Sequence, residues 1–143
     1  MIEEKHVVTM KIPFPSISSG LAVSPHMYVC LTKQQYNKKF IKCQSLKPHH
    51  LGRNKRPYYR IVENVDINRN PFNRTTLIDC DKQFQVDGVE ICTSLLTKKR
   101  NDVCDELFMD IRSMINNDVF ETNLLNREEL KELNYKIKLV RQA

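Results

Sequence analysis

The sequence predicts a mainly β fold of the α+β class: a small barrel or sandwich of five to seven strands, an amphipathic helix that closes it, and an extra C-terminal helix. Three observations carry this expectation. Short apolar runs recur up to Cys92, with turn signals about every 8–12 residues. The hydrophobic period then changes from strand-like to helical. A chain of 143 residues with 41% hydrophobic side chains can bury one core without staples.

The strands are read in order. His6–Met10 leads into Ile12-Pro13-Phe14-Pro15, where two prolines end or edge a strand. Ser16–Ala22 reads as a loop. Met27–Thr32 is a compact apolar run of the kind a buried strand shows. Phe40–Ser45 and Tyr58–Val65 alternate apolar with polar residues and read as half-buried. Between them Lys47–Arg56 combines Pro, Gly and charge, a loop composition. Asn68–Arg74 is turn chemistry. Thr75–Cys80, Gln83–Val86 and Val89–Cys92 complete the series. From Thr97, a plausible N-cap, the stripe Val103, Cys104, Leu107, Phe108, Ile111, Met114, Ile115 predicts a helix to about residue 116. A last helix is expected from Asn126, with Glu129 as capping-box partner and a seam of Leu130, Leu133, Ile137 and Val140. The expected organisation is a domain over 1–117 and a helical extension over 118–143.

Charge is distributed unevenly. The net charge is +6, yet residues 1–60 hold 11 Lys and Arg against only Glu3 and Glu4, and no Asp or Glu occurs from Lys5 to Val62. Such asymmetry points to a polyanionic partner, RNA in the first place. Five cysteines, an odd number without CxxC spacing, argue against metal ligation or a redox motif and for free thiols in a reducing cytoplasm. No apolar run is long enough to span a bilayer and no signal-peptide pattern is present, so neither a membrane nor a cofactor is expected.

The segment Lys33–Arg60 carries nine Lys and Arg, two His and three Tyr. Cations neutralise phosphates and aromatic rings stack on unpaired bases, which nominates Lys42, Lys47, His49, His50, Lys55, Arg56 and Tyr58 as RNA-binding residues. By themselves Tyr58 and Tyr59 read as ordinary strand residues, one ring facing the core. Oxygen-ligand metal sites need clustered carboxylates, and the only pair within reach is Asp79 and Asp81, two apart on one strand. That leaves metal-free chemistry or plain binding. RNA cleavage then needs a base for the 2′-hydroxyl proton, an acid for the departing 5′-oxygen and a cation for the phosphorane. His26, His49 and His50 suit the proton roles, and Ser45, Lys47, Arg53 and Arg56 suit the others.

The order of these features resembles the MazF/PemK-like toxins, from about Val7 to Ile115. The residues that carry it are MKIPFPSISSG (10–20), SPHMYVCLT (24–32), FIKCQS (40–45) and, most clearly, TTLIDCDKQFQVDGVEI (75–91). The resemblance implies an SH3-like β-barrel and a metal-independent endoribonuclease that cuts single-stranded RNA. It also implies a homodimer neutralised by an acidic segment of an antitoxin protein. The family's Thr after the third strand is matched by Ser45. The family's catalytic Arg before the second strand is replaced by Ser24, and His26, one step along, or Arg53 from the basic loop is expected to supply the missing cation. The rival expectation is a nucleic-acid-binding or regulatory module on the same fold without catalysis. A membrane-surface protein is the weakest reading, because the basic residues lie in strands and loops rather than on an amphipathic helix.

Overall fold

The computed structural model describes residues 1–140. It is mostly β, with antiparallel pairing dominant and few helices. The first strands are β1 (Val7–Met10), β2 (His26–Cys30) and the long β3 (Asn37–Ser45). They form consecutive antiparallel pairs, with Val7 opposite Val29 and Val29 opposite Ile41. A single helical turn, α1 (Gly20–Val23), fills the β1–β2 connection. The later strands are β4 (Arg60–Glu63), β5 (Thr76–Asp79), β6 (Lys82–Asp87) and β7 (Val89–Ile91). After the helix α2 (Asp105–Met114) come β8 (Glu121–Leu124), α3 (Arg127–Leu133) and β9 (Ile137–Leu139). Seven strands share one sheet, and β7 and β9 form a separate two-stranded ribbon. Among the described residues the ladder runs β1-β2-β3-β5-β4, with β6 joining β3 and β8 joining β6, and no ladder closes it into a barrel.

The run through β2, Tyr28–Leu31, is continuously apolar because both faces of that strand are covered. Val8, Tyr28 and Phe40 point into one cluster with Phe84 and Val86. Val7, Val29 and Ile41 point into another, against Val103, Leu107, Phe108 and Ile111 under α2. A strand with one wet face would alternate instead.

The strand that faces β3 is broken. From Cys43 to Phe40 β3 advances three residues, while its partner advances six, from Ile78 to Phe84, so three residues are extra. They fall at Asp79–Asp81, where the chain bulges and changes neighbour. The β5 half pairs with β4 on its outer side, antiparallel, and the β6 half pairs with β8, parallel. An insertion of this kind bends the strand and raises its twist.

Three expectations are corrected. The helix expected from Thr97 starts at Asp105, and its N-cap is Cys104, whose Sγ accepts from the Leu107 amide at 3.4 Å. Thr97 is a buried loop residue: its amide donates to the Val7 carbonyl and its hydroxyl to that of Arg100. The cluster Lys98-Lys99-Arg100 opposes a helix start electrostatically, whereas Asp105 and Glu106 favour one. The last helix begins as expected, with the Asn126 side chain accepting from Glu129 N, but it stops at Leu133, and Ile137–Leu139 is a strand paired with β7. The segment after residue 117 is also no helical appendage. It supplies β8 to the main sheet and Leu125, Leu130 and Ile137 to the core that holds Val8 and Met10. Residues 141–143 of that segment lie outside the described residues. Leu130→Ala is therefore expected to cost about 2–5 kcal/mol. Urea unfolding would measure this, and a change under 1 kcal/mol would mean the segment is not part of the core.

Candidate nucleic-acid interface

Beside the bulge, between the segment that leads into β4 and the start of β8, lies a cleft of about 930 Å³. Its floor is the sheet face that presents Lys42, Gln44 and Asp79. Its walls are His49 and His50 on one side, Arg56–Tyr59 on another, and Lys82, Val119 and Glu121 across the bulge. Asp81 makes the second wall. Its carboxylate accepts from the amides of Tyr58 and Tyr59, both at 2.7 Å. Two residues of the bulge thus take opposite tasks: Asp81 points outward to hold the Tyr58–Tyr59 backbone, and Asp79 stays in the floor.

Tyr58 is 55% exposed, and the Arg56 guanidinium lies 5.3 Å from its ring centroid. Tyr59 packs on the core beneath α2, and its hydroxyl accepts from the Asn116 side chain at 3.0 Å. One tyrosine faces the core and one faces out, as the alternation of the run implies.

The two adjacent histidines are both in the wall, with ring centroids 4.3 Å apart. His50 Nδ1 accepts from the Lys47 amide at 2.9 Å, which places the neutral ring's proton on Nε2. Burial first, then His49, Lys42, Lys47 and Arg60, hold the His50 pKa below its usual 6.5. The folded state therefore binds fewer protons than the unfolded chain, and folding loses stability as pH falls through the histidine range. A bound polyanion reverses this, because it favours the imidazolium. RNA affinity is expected to rise between pH 7.5 and pH 5.5, and the double variant His49→Gln/His50→Gln to flatten that dependence. Fluorescence anisotropy with a short labelled RNA across this range checks it, and a flat wild-type profile would remove the histidines from the interface.

In the floor, burial is the main influence on two groups of opposite charge. It pushes the Lys42 ammonium pKa down and the Asp79 carboxyl pKa up. Asp79 accepts from the Asp81 amide at 2.9 Å and is only 5% exposed.

A second, smaller hollow of about 270 Å³ lies beyond Gln44, which lines both. It holds His26, Ser45, Asn73, Arg74 and Thr76. His26 Nδ1 lies 3.0 Å from the Ser24 carbonyl, so Nδ1–H donates there and Nε2 keeps its lone pair. A neutral histidine held in this way is a proton acceptor in waiting.

The predicted residues thus divide. Lys42, His49, His50, Arg56 and Tyr58 share the large cleft, and His26 and Ser45 share the small hollow. Lys47 and Lys55 are exposed and line neither. Arg53 is also exposed and lines neither, so it is not placed to stand in for a cation beside Ser45. The Ser24 side chain is exposed, and only its carbonyl touches the site. Sequence reasoning missed Arg74, Gln44 and Lys82. Arg74 sits six residues before Cys80 in a segment read only as a turn, and its place in the hollow depends on the loop that precedes β5.

Among the described residues no group of three or more His, Cys, Asp or Glu side chains converges on one point, and no helix is long and apolar enough to cross a membrane. No model of a known protein family, no curated protein and no solved structure matches this chain.

Proposed function

We propose that the protein is a metal-independent endoribonuclease of the MazF/PemK kind, acting on single-stranded RNA that lies across the two hollows. The observation that carries this reading is that Gln44 belongs to both hollows. The cation- and aromatic-lined cleft thereby borders a hollow lined by a histidine, a hydroxyl and a guanidinium. In that arrangement His26 Nε2 takes the 2′-hydroxyl proton, and O2′ attacks phosphorus. The P–O5′ bond breaks to leave a 2′,3′-cyclic phosphate, and O5′ takes up a proton. Arg74 and Ser45 stabilise the charge on the phosphorane oxygens. Arg74 takes the place expected of Arg53. The bulge between β5 and β6, a feature that bends a sheet, supports an SH3-like architecture for the domain, and homodimerisation and an acidic antitoxin segment in the same basic cleft belong to the same proposal.

The test is incubation of the purified protein with a long RNA in EDTA, with a cleaving relative in parallel. Cleavage is expected, and single variants His26→Ala, Ser45→Ala and Arg74→Ala are expected to slow it by roughly 10²-fold or more. Intact RNA beside a cut control would overturn the enzyme reading.

The second reading, a binding module without catalysis, is favoured by Ser24, whose exposed hydroxyl brings no charge to the hollow. It expects binding that weakens steeply with salt and RNA of unchanged length.

A further inference from the structure

The large cleft has a feature that phosphate binding does not use. Phosphate recognition calls for cations, yet the floor of this cleft holds a buried carboxylate. Asp79 is 5% exposed, lines the cleft floor, and receives one hydrogen bond, from the Asp81 amide to Oδ1. Among the described residues no Lys, Arg or His nitrogen comes within 4.0 Å of it. An ionised carboxylate has about four acceptor positions, so most of those on Asp79 are unused. A buried carboxylate without a paired cation is costly, and a sheet floor is easily filled with a neutral residue instead.

Its neighbours define what completes it. Lys42 and Gln44 stand on the adjacent strand in the same floor and offer donors beside the acceptor. Tyr58 offers an exposed ring at the wall, at a height fixed by Asp81. A flat ligand that stacks on the ring and presents donors to Asp79 and an acceptor to Lys42 fits this set. Among the four RNA bases only guanine carries two adjacent donors, N1–H and N2–H, on its Watson–Crick edge, with the O6 acceptor next to them. A carboxylate takes the two donors bidentately. Cytosine and adenine offer it one amino group, and uracil one imino group flanked by carbonyl oxygens that a carboxylate repels.

Resting on the RNA reading above, we propose that the large cleft is a guanine-reading subsite: Asp79 accepts from guanine N1–H and N2–H, Lys42 donates to O6, and the base stacks on Tyr58. Unpaired bases in single-stranded RNA are read in this manner, edge by hydrogen bonds and face by an aromatic ring. The sequence preference of the protein then resides in the bulge between β5 and β6, apart from the His26–Ser45–Arg74 hollow that acts on the phosphate.

The experiment measures binding of labelled five-nucleotide RNAs to the full chain by anisotropy. The probes are U-only, one central G, A or C in U, and one central inosine, which lacks the N2 amino group. The central G is expected to bind at least about tenfold tighter than every other probe, inosine included, as a good bidentate contact implies. Asp79→Asn is expected to bind all five alike while keeping its salt dependence, and a thermal melt checks that it is folded. The inosine arm uses the unmodified protein and holds even where that variant does not fold. Equal, salt-sensitive binding of all probes would overturn the guanine subsite and leave the RNA reading standing. Binding of none would overturn both.

Discussion

Phe84→Ala is expected to leave little folded protein at physiological temperature. Phe84 is fully buried where β6 meets β3 on one side and β8 on the other. Its ring packs edge-on against Phe14 and Tyr28, with centroids 5.2 Å and 6.2 Å away. Truncating a buried Phe costs about 3–5 kcal/mol, from lost transfer energy and the cavity left behind. The total stability of a domain this size is about 5–15 kcal/mol, so the variant stands near the edge of folding. Phe84→Leu keeps most of the volume and is expected to lose less than half as much. Thermal and urea unfolding followed by circular dichroism measures both. If Phe84→Ala melted within a few degrees of the parent, the junction of β3, β6 and β8 would not be the centre of this core.

Asp81→Ala is expected to cost about 2–3 kcal/mol of stability and to weaken RNA binding about tenfold. The two amides held by Asp81 lose charge-assisted bonds worth about 1.5–3 kcal/mol each, and water recovers part of this at the exposed Tyr58. The affinity effect has two parts of opposite sign. Removing a negative charge beside the cleft strengthens attraction for a polyanion, but in water-like surroundings this is under about 1 kcal/mol. Losing the fixed position of Tyr58 removes a stacking platform worth about 1–3 kcal/mol per base, so weakening wins. Asp81→Asn separates the parts, because it removes the same charge and retains one acceptor. It is expected to bind RNA more tightly than Asp81→Ala. Equal affinity for the two variants would mean that Asp81 acts only through its charge.

The strands of the first half were legible because burial on both faces leaves apolar runs such as Met27–Thr32 that no loop would carry. The basic cleft was legible for a related reason: Lys42, His49, His50, Arg56 and Tyr58 come from one continuous stretch around β3 and the loop after it. The errors have physical causes too. Leu130, Leu133, Ile137 and Val140 satisfy a helical period, and only the pairing of Ile137 with Ile91 decides for a strand. The strand Glu121–Leu124 is mostly exposed and carries no apolar signal, so its place beside β6 is a tertiary choice. The extended loop from Thr97 to Cys104 is fixed by bonds to β1 from residues some ninety positions away, including Thr97 N to the Val7 carbonyl. Neither Arg53's place outside both hollows nor the shared hollow of His26 and Arg74 follows from spacing along the chain.

The core around Val8 and Met10 has a consequence for the order of synthesis. Its remaining wall is Leu125, Leu130 and Ile137, which are almost the last residues described. A chain emerging from the ribosome therefore holds its first strands without their cover until Ile137 has been made. Contacts of such long sequence separation form slowly, and the half-covered sheet meanwhile exposes apolar surface to neighbours. Premature termination anywhere before Ile137 then yields an aggregation-prone fragment rather than a smaller working protein.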